Sequence, residues 1–302
     1  MTDLTPTVSI FIPTYNDKTH LSACLESISQ LDYPRKRVEI VIWDNGSEDD
    51  TSNMVRERYQ EMTKKDWLNA CLIEHHRNEG CYIPYNLAVP YLSSKTQYLL
   101  GLDADVELAP DLLSKMVDAA RSDQVAVVGA RSVYYEKPDL TSHGAGFVSS
   151  WTARYSEKDA KEQIECDYVI GCCWLLQRTA FEQLGRFDPD YYINHWEVDY
   201  CLRAKRKGFR IIYEPRATAR HKIPLSGTPC SDRIYYLYRN KLLLIRKNPT
   251  FFKLPPTQLL CLVLSLGRIF SSFALLGKMP EMKSALQGVL DGLLNKRGER
   301  KN

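Results

Sequence analysis

The apolar positions of this chain come in two rhythms. Short β-branched or apolar runs recur at Val8–Pro13 (VSIFIP), Val38–Asp44 (VEIVIWD), Ala70–His76 (ACLIEHH), Thr96–Asp103 (TQYLLGLD) and Val125–Ala130 (VAVVGA). Each is too short for a helix and reads as a buried strand. Segments of helical spacing lie between them. Thr19–Gln30 places Leu21, Leu25 and Ile28 on one face. A turn at Asn45-Gly46 opens a second helix, with acidic residues expected in its first turn, where the dipole favours them. A short helix over Tyr82–Leu92, despite its prolines, and another over Pro110–Arg121 complete the series.

Strands alternating with helices predict an α/β fold, with a mostly parallel central sheet flanked by helices on both faces. From about Val133 the alternation stops. Tyr134–Asp167 is loop-rich and reads as an insertion on the substrate side. Tyr168–Asp188 returns to a buried strand and a short helix. A helix from about Glu197 to Lys207 is stopped by Gly208, then comes a strand, Arg210–Tyr213, and His221 falls at a strand end or loop. Ligands of such sheets bind beyond the carboxyl ends of the strands. Pro13, Asp44 and Asp103 all fall at such ends, so the chemistry should gather on that edge.

The composition removes several classes of function. The 302 residues are 44% hydrophobic and 25% charged, with a net charge of +3 and a pI near 8.3, which does not argue for a nucleic-acid partner. Nine cysteines occur without a C-x-x-C pair, so reduced thiols and a cytoplasmic setting are expected. The first residues, MTDLTPTVSIFIP, have no basic region and long apolar run of a signal peptide. No G-x-x-x-x-G-K-[ST] is present. The glycines of HGAGFVSS follow no buried strand, which disfavours a dinucleotide fingerprint.

Asp103 and Asp105 stand one residue apart at the end of an apolar strand. Like charges so close call for a counter-charge, and a divalent cation supplies one. Around them, IPTYN (Ile12–Asn16), WDNGSEDDT (Trp43–Thr51), RNEGCYIPYN (Arg77–Asn86), GLDADV (Gly101–Val106), VIGCCWLLQRTAFEQLGRFDPDYYI and WEVDYCLRAKRKGFRIIYEPRATARH follow in order. In that order they resemble the blocks of family-two glycosyltransferases of the GT-A fold, over about residues 7 to 250. RIYYLYRNKLLLIRKN resembles the tail of the rhamnosyl- and galactofuranosyltransferase-like branch.

The resemblance implies an inverting transfer from a nucleoside diphosphate-sugar to a hydroxyl of a glycan or lipid-linked acceptor, as in cell-surface polysaccharide synthesis. It implies that Pro13, Thr14 and Tyr15 hold base and ribose, that Asp44 reads the base, and that Asn16 and Asn45 also contact the nucleotide-sugar. Asp44 could equally cap the next helix. Asn78 and Gly80 match the loop under the nucleotide, and Asn86 is a further candidate nucleotide-sugar contact. Asp105 matches the principal metal ligand, Asp103 a ribose or metal contact, and His221 a further ligand. The ion would be Mn2+ or Mg2+, and an imidazole suits manganese better. The family's base opens the helix containing DYCLR, where Glu-Asp is usual and this chain has Trp196-Glu197. The base is therefore Glu197 or Asp199, and the helix N-terminus should lower its pKa. Arg178 and Arg203 are candidates to pair with these acids or with phosphate.

Residues 1–250 read as the catalytic domain, divided near residue 130 into nucleotide-binding and acceptor-side halves, and 251–302 as a C-terminal helical appendage. Leu254–Gly277 is apolar, with Arg268 inside it and Arg246, Lys247, Lys253, Lys278 and Lys283 around it. That pattern suits a helix lying in a membrane interface, at the inner face of the cell membrane. Packing on the catalytic domain or a homo-oligomer contact would use the same residues. A catalytically inactive nucleotide-sugar-binding module and a nucleotidyltransferase are the alternative functions.

Overall fold

In the computed structural model, residues 5–63, 66–80, 82–225, 230–252, 256–275 and 277–300 are described. The first half alternates as expected: β1 (Val8–Thr14), α1 (Lys18–Ser29), β2 (Val38–Asp44), α2 (Thr51–Thr63), β3 (Asn69–Glu74), α3 (Ile83–Ala88), β4 (Tyr98–Leu102), β5 (Val106–Leu108), α4 (Leu112–Ala119) and β6 (Val125–Tyr134). The loop-rich stretch carries β7 (Thr141–His143), β8 (Ala145–Val148), β9 (Tyr155–Lys158) and β10 (Ile164–Glu165). Then follow β11 (Cys173–Gln177), α5 (Arg178–Leu184), α6 (Trp196–Arg206), β12 (Arg210–His221), α7 (Ser231–Lys247), α8 (Pro256–Ile269) and α9 (Met279–Leu293), with a π-helical turn, Phe270–Ala274, between the last two.

Among the described residues ten strands form one sheet. Its path is β10-β12-β6-β11-β4-β1-β2-β3, with β5 on β12 and β7 on β6. β4, β1, β2 and β3 run parallel, and β6 and β12 are parallel to each other. β11 lies between these two groups, antiparallel to both β4 and β6, and the short β5, β7 and β10 are also antiparallel to their neighbours. β11 joins β1–β4 to β6 and β12 in one continuous sheet.

Strand alternation distributes the core. Val8, Ile10 and Ile12 of β1 face one way, toward Leu21, Leu25 and Ile28 of α1 and Val55 of α2. Phe11 faces the other way, toward Tyr85 of α3 and Trp174 of β11. This second face is aromatic: Trp174, Phe187, Trp196 and Tyr200 meet at ring-centroid distances of 4.6–6.0 Å. Rings packed edge to face add to the area they bury. The cluster anchors the start of α6.

Three expectations change. The acidic residues after Gly46 precede α2 and do not enter its first turn; Asp49 accepts the backbone N–H of Thr51 at 3.0 Å instead. The strand at Arg210 runs on through two register shifts to His221. The expected helix over 254–277 is α8 plus the π turn, and Lys253, Leu254, Pro255 and Leu276 lie outside the described residues.

Gly101 sits where β4 passes beneath the aromatic face. A Cβ there would stand 2.5 Å from the Tyr85 hydroxyl and closer still to the Trp174 indole nitrogen. Gly101→Ala should therefore destabilise the protein by about 1–3 kcal/mol, the usual cost of overpacking. Thermal unfolding checks this, and an unchanged midpoint would show that the ring cluster yields.

Candidate active site

The carboxyl ends of β1, β2 and β4 meet at one edge. Asn45 donates its backbone N–H to Thr14 O at 2.9 Å, which ties the first two ends together. Asn16 takes a positive φ of 49°. Its side-chain oxygen accepts the Glu48 N–H at 2.8 Å. Asp44 is 3% exposed and accepts the Ser47 N–H at 2.9 Å and the Ser52 hydroxyl. Asn45 donates to Asn78 Oδ1 and Gly80 O, both at 3.0 Å, and accepts the Glu79 N–H at 3.1 Å. Gly80 needs its glycine, with φ +82° and the Tyr192 carbonyl 3.1 Å from where a Cβ would be. Tyr15, at 43% exposure, stands open at this edge, and Pro13 and Thr14 close β1 beneath it. Asn86 does not join them. It is buried in α3 and spends both ends of its amide on Phe187, donating to its carbonyl at 2.9 Å and accepting its N–H at 2.8 Å.

Asp103 and Asp105 follow β4, and β5 then pairs antiparallel with β12 so that His221 lies opposite Val106. Lys222 N donates to Asp105 O at 3.0 Å and fixes the register. The result brings His221 Nε2 to 3.3 Å from Asp105 Oδ1. Ligand atoms of Asp103, Asp105 and His221 all lie within 4.8 Å of one another. Burial and the neighbouring Asp105 charge push the Asp103 carboxyl up to about 7. Burial also opposes ionisation of Asp105, but the His221 hydrogen bond and charge outweigh it and hold its carboxyl below the usual range. His221 is correspondingly raised to about 11, against the opposing effect of burial. Two carboxylates and an imidazole fit a divalent cation, which would displace the proton that His221 carries.

These three residues line a cleft of about 670 Å³ together with Glu197, His143, Tyr155, Glu157, His195 and Arg233. Glu197 opens α6. Its Oε2 is buried without a hydrogen-bond partner among the described residues. Burial raises its pKa to about 7, with Asp103 adding to the effect. The helix N-terminus was expected to lower it; desolvation dominates instead.

Residues 9–185 match the family described as Glycosyl transferase family 2. The chain belongs to that family. It is 27% identical over 214 residues to Glycosyltransferase AglE of Haloferax volcanii, covering 70% of this chain and 66% of that protein. It is 26% identical over 248 residues to the N-acetylglucosaminyl-diphospho-decaprenol L-rhamnosyltransferase of Mycobacterium tuberculosis, covering 73% and 76%. The mannosyltransferase PcManGT from Pyrobaculum calidifontis, solved with GDP-Man and Mn2+, superposes with a TM-score of 0.64 at 19% identity, over 98% of this chain and 89% of that one. S. aureus TarS 1-349 in complex with UDP gives 0.59 at 18%, over 95% and 81%. The architecture is the GT-A fold, and as a member of family two the protein is a glycosyltransferase.

Within this family-two site the structure separates the two candidate acids. Asp199 lies outside the cleft. Its carboxylate is held by Arg203 Nε at 2.9 Å, Asn248 Nδ2 at 3.0 Å and the Tyr191 hydroxyl at 3.2 Å. Residues two apart on a helix are about 200° apart around it, so one face cannot carry both. Arg203 is thereby committed to Asp199. Arg178 pairs with Glu182 at 2.8 Å and donates to Ser93 O at 2.7 Å. His143, Tyr155, Glu157 and Arg233 were not singled out in the sequence. The first three come from the hairpin region that reads as an insertion, where weak strands leave no strong period. Arg233 had only its position at the start of a helix to mark it.

The Asp199–Arg203 pair gives a direct check. Arg203→Met should leave Asp199 2% exposed without its cation, at a cost of roughly 3 kcal/mol. Urea unfolding should show that loss, while Mn2+ affinity stays at the parent value. Unchanged stability would mean that Tyr191 and Asn248 hold the charge alone.

Proposed function

We propose that the protein transfers a sugar, with inversion, from a nucleoside diphosphate-sugar to a hydroxyl of a glycan or lipid-linked acceptor. The observation that carries this reading is Glu197, whose Oε2 is buried without a hydrogen-bond partner among the described residues in the same cleft as Asp103, Asp105 and His221. Glu197 accepts the proton of the acceptor hydroxyl. The freed oxygen pair forms the new bond to the anomeric carbon, and the bond to the diphosphate breaks with its electrons kept by the leaving oxygen. A divalent cation held by Asp103, Asp105 and His221 would give that departing diphosphate Lewis-acid stabilisation. Arg233 lines the same cleft and can carry further positive charge to it. Thr14–Asn16, Asp44, Asn45, Asn78 and Gly80 are proposed to hold the nucleotide. The decaprenol-linked substrate named for the mycobacterial relative supports a lipid-linked acceptor and a place in cell-surface glycan assembly.

A base must be ionised, so a carboxylate raised to about 7 loses activity as the pH falls through that value. The acid limb of kcat/KM should therefore lie at near-neutral pH, above the ordinary glutamate value of about 4.3. Glu197→Gln should slow transfer by roughly a hundred-fold or more while keeping Mn2+-dependent donor binding. Asp105→Asn should do the reverse and lose that binding. Assays of nucleoside diphosphate release from UDP-, GDP- and dTDP-sugars, with calorimetry for binding, decide both. A rate that stays flat down to pH 5 would remove Glu197 as base.

We also propose that α8 lies on a membrane surface. Its inward positions are Thr257, Cys261, Ser265 and Ile269, and its outward ones include Leu259, Leu260, Val263, Leu264 and Leu266. This is inside out for water and fits an apolar medium outside. The stretch Pro256–Phe273 is, among the described residues, the one helix long and apolar enough to cross a bilayer, with a mean hydropathy of 1.3 and only 18% buried. Its inner stripe is sealed against the catalytic domain, which favours lying along the surface over spanning. No Asp or Glu occurs between Asp232 and Glu281, so anionic headgroups meet no repulsion there. Vesicles of anionic lipid should co-sediment the protein at low salt and release part of it at high salt. Leu260→Glu with Val263→Glu should abolish the binding, and equal sedimentation of parent and variant would exclude this face.

A further inference from the structure

The segment that delivers Glu197 is strained. Tyr192, Asn194 and His195 take φ values of 60°, 59° and 68°, a left-handed region that side-chain-bearing residues seldom occupy. Such conformations persist only where the surroundings over-determine them. Here two adjacent buried residues of α7 supply the restraint. Asn240 Nδ2 donates to the carbonyls of Tyr191 at 2.7 Å, Ile193 at 2.6 Å and Asn194 at 3.1 Å. Arg239 orients that amide, its Nε donating to Asn240 Oδ1 at 2.8 Å, and its Nη2 reaches Asp190 O at 3.2 Å and Tyr191 O at 3.1 Å. Arg239 is 1% exposed, and among the described residues no carboxylate pairs with it. Its charge is met by carbonyls and by the faces of Tyr235 and Tyr236.

The end of the chain closes the same clamp. Arg239 Nη1 donates to Gly298 O at 2.5 Å, and Gly298 N donates to Asp190 O at 2.8 Å. Arg297 Nη1 meets Asp190 Oδ2 at 3.2 Å. A buried guanidinium and a buried amide are thus spent on one loop that ends at Glu197. A purely structural filler would be apolar, because burying such groups is costly unless every donor is used.

We propose that Arg239, Asn240 and the tail at Gly298 are positioning residues that hold the Asp190–His195 loop so that it aims Glu197 into the cleft. The inference rests on Glu197 being the base.

The test uses the full chain. Asn240→Asp keeps the shape and removes both donors. It should lower kcat at least tenfold in nucleoside diphosphate release, with the affinities for Mn2+ and for Mn2+ plus UDP or GDP within twofold of the parent. In a Glu197→Gln background the same change should add no further loss, because residues acting through one group are not additive. Gly298→Pro cannot adopt the φ of +69° held there, so it releases the tail's N–H and carbonyl from the clamp. It should repeat the loss of kcat in milder form, and it serves if Asn240→Asp does not fold. An unchanged kcat in the variants that fold, a parallel fall in kcat and nucleotide affinity, or a further tenfold loss on top of Glu197→Gln would each overturn the proposal. Glu197→Gln alone decides the reading beneath it: full turnover there removes the base, whatever Asn240 does.

Discussion

Two carboxylates placed side by side at the buried end of a strand are costly, and much of the cleft is arranged around that cost. Asp103 and Asp105 lose water and repel each other, which is why the first is driven up to about 7 and the second needs His221 to stay ionised. Bringing His221 there takes a second strand pairing: β5 must turn back on β12 in one register, pinned by Lys222. The same negative region then acts on Glu197 across the cleft and helps hold its pKa near neutrality. A bound cation would relieve all three carboxyls at once, and Arg233 already acts in that direction on Asp103 and Glu197.

Much of the frame was legible in the sequence because burial writes a clear signal. The runs at Val8, Val38 and Tyr98 are apolar on both faces, and they became the parallel strands expected of them. The acidic pair and His221 were legible as residues but not as a cluster. Their meeting depends on β5, three residues long, which no period can reveal. β12 extends past Tyr213 as a strand that alternates buried residues with exposed arginines, Arg216 and Arg220 among them, so hydrophobicity alone stops short of its end. The resemblance left the base open between two acids two residues apart. Helical geometry decides which of them faces the cleft, and it became decisive only when α6 had a neighbour on each side. Asn86 stands apart from the other candidate nucleotide residues for a related reason: its amide is consumed by Phe187, a partner about a hundred residues away.

The acid that faces the cleft is presented by the least relaxed backbone of its neighbourhood. A left-handed run of bulky residues, a desolvated carboxylate and a buried arginine all cost stability, and they converge on one turn. Residues from the far end of the chain are recruited to hold it. The C-terminal helices therefore have two faces with different tasks: one closes over the catalytic domain, and the other turns leucines outward.

The antiparallel strand β11 also sets an order of assembly. The strands from β1 to β4 can pair as soon as Leu102 has left the ribosome, but the seam between β4 and β6 stays open until residues 173–177 arrive to fill it. During that interval Tyr98–Leu102 presents an apolar, unpaired edge, the kind of template on which nascent chains aggregate. Contacts of such sequence separation slow folding, and the cleft cannot exist before the seam closes. Ligand affinity then reports completion of the sheet, and chaperone dependence should concentrate in the window when that edge is bare.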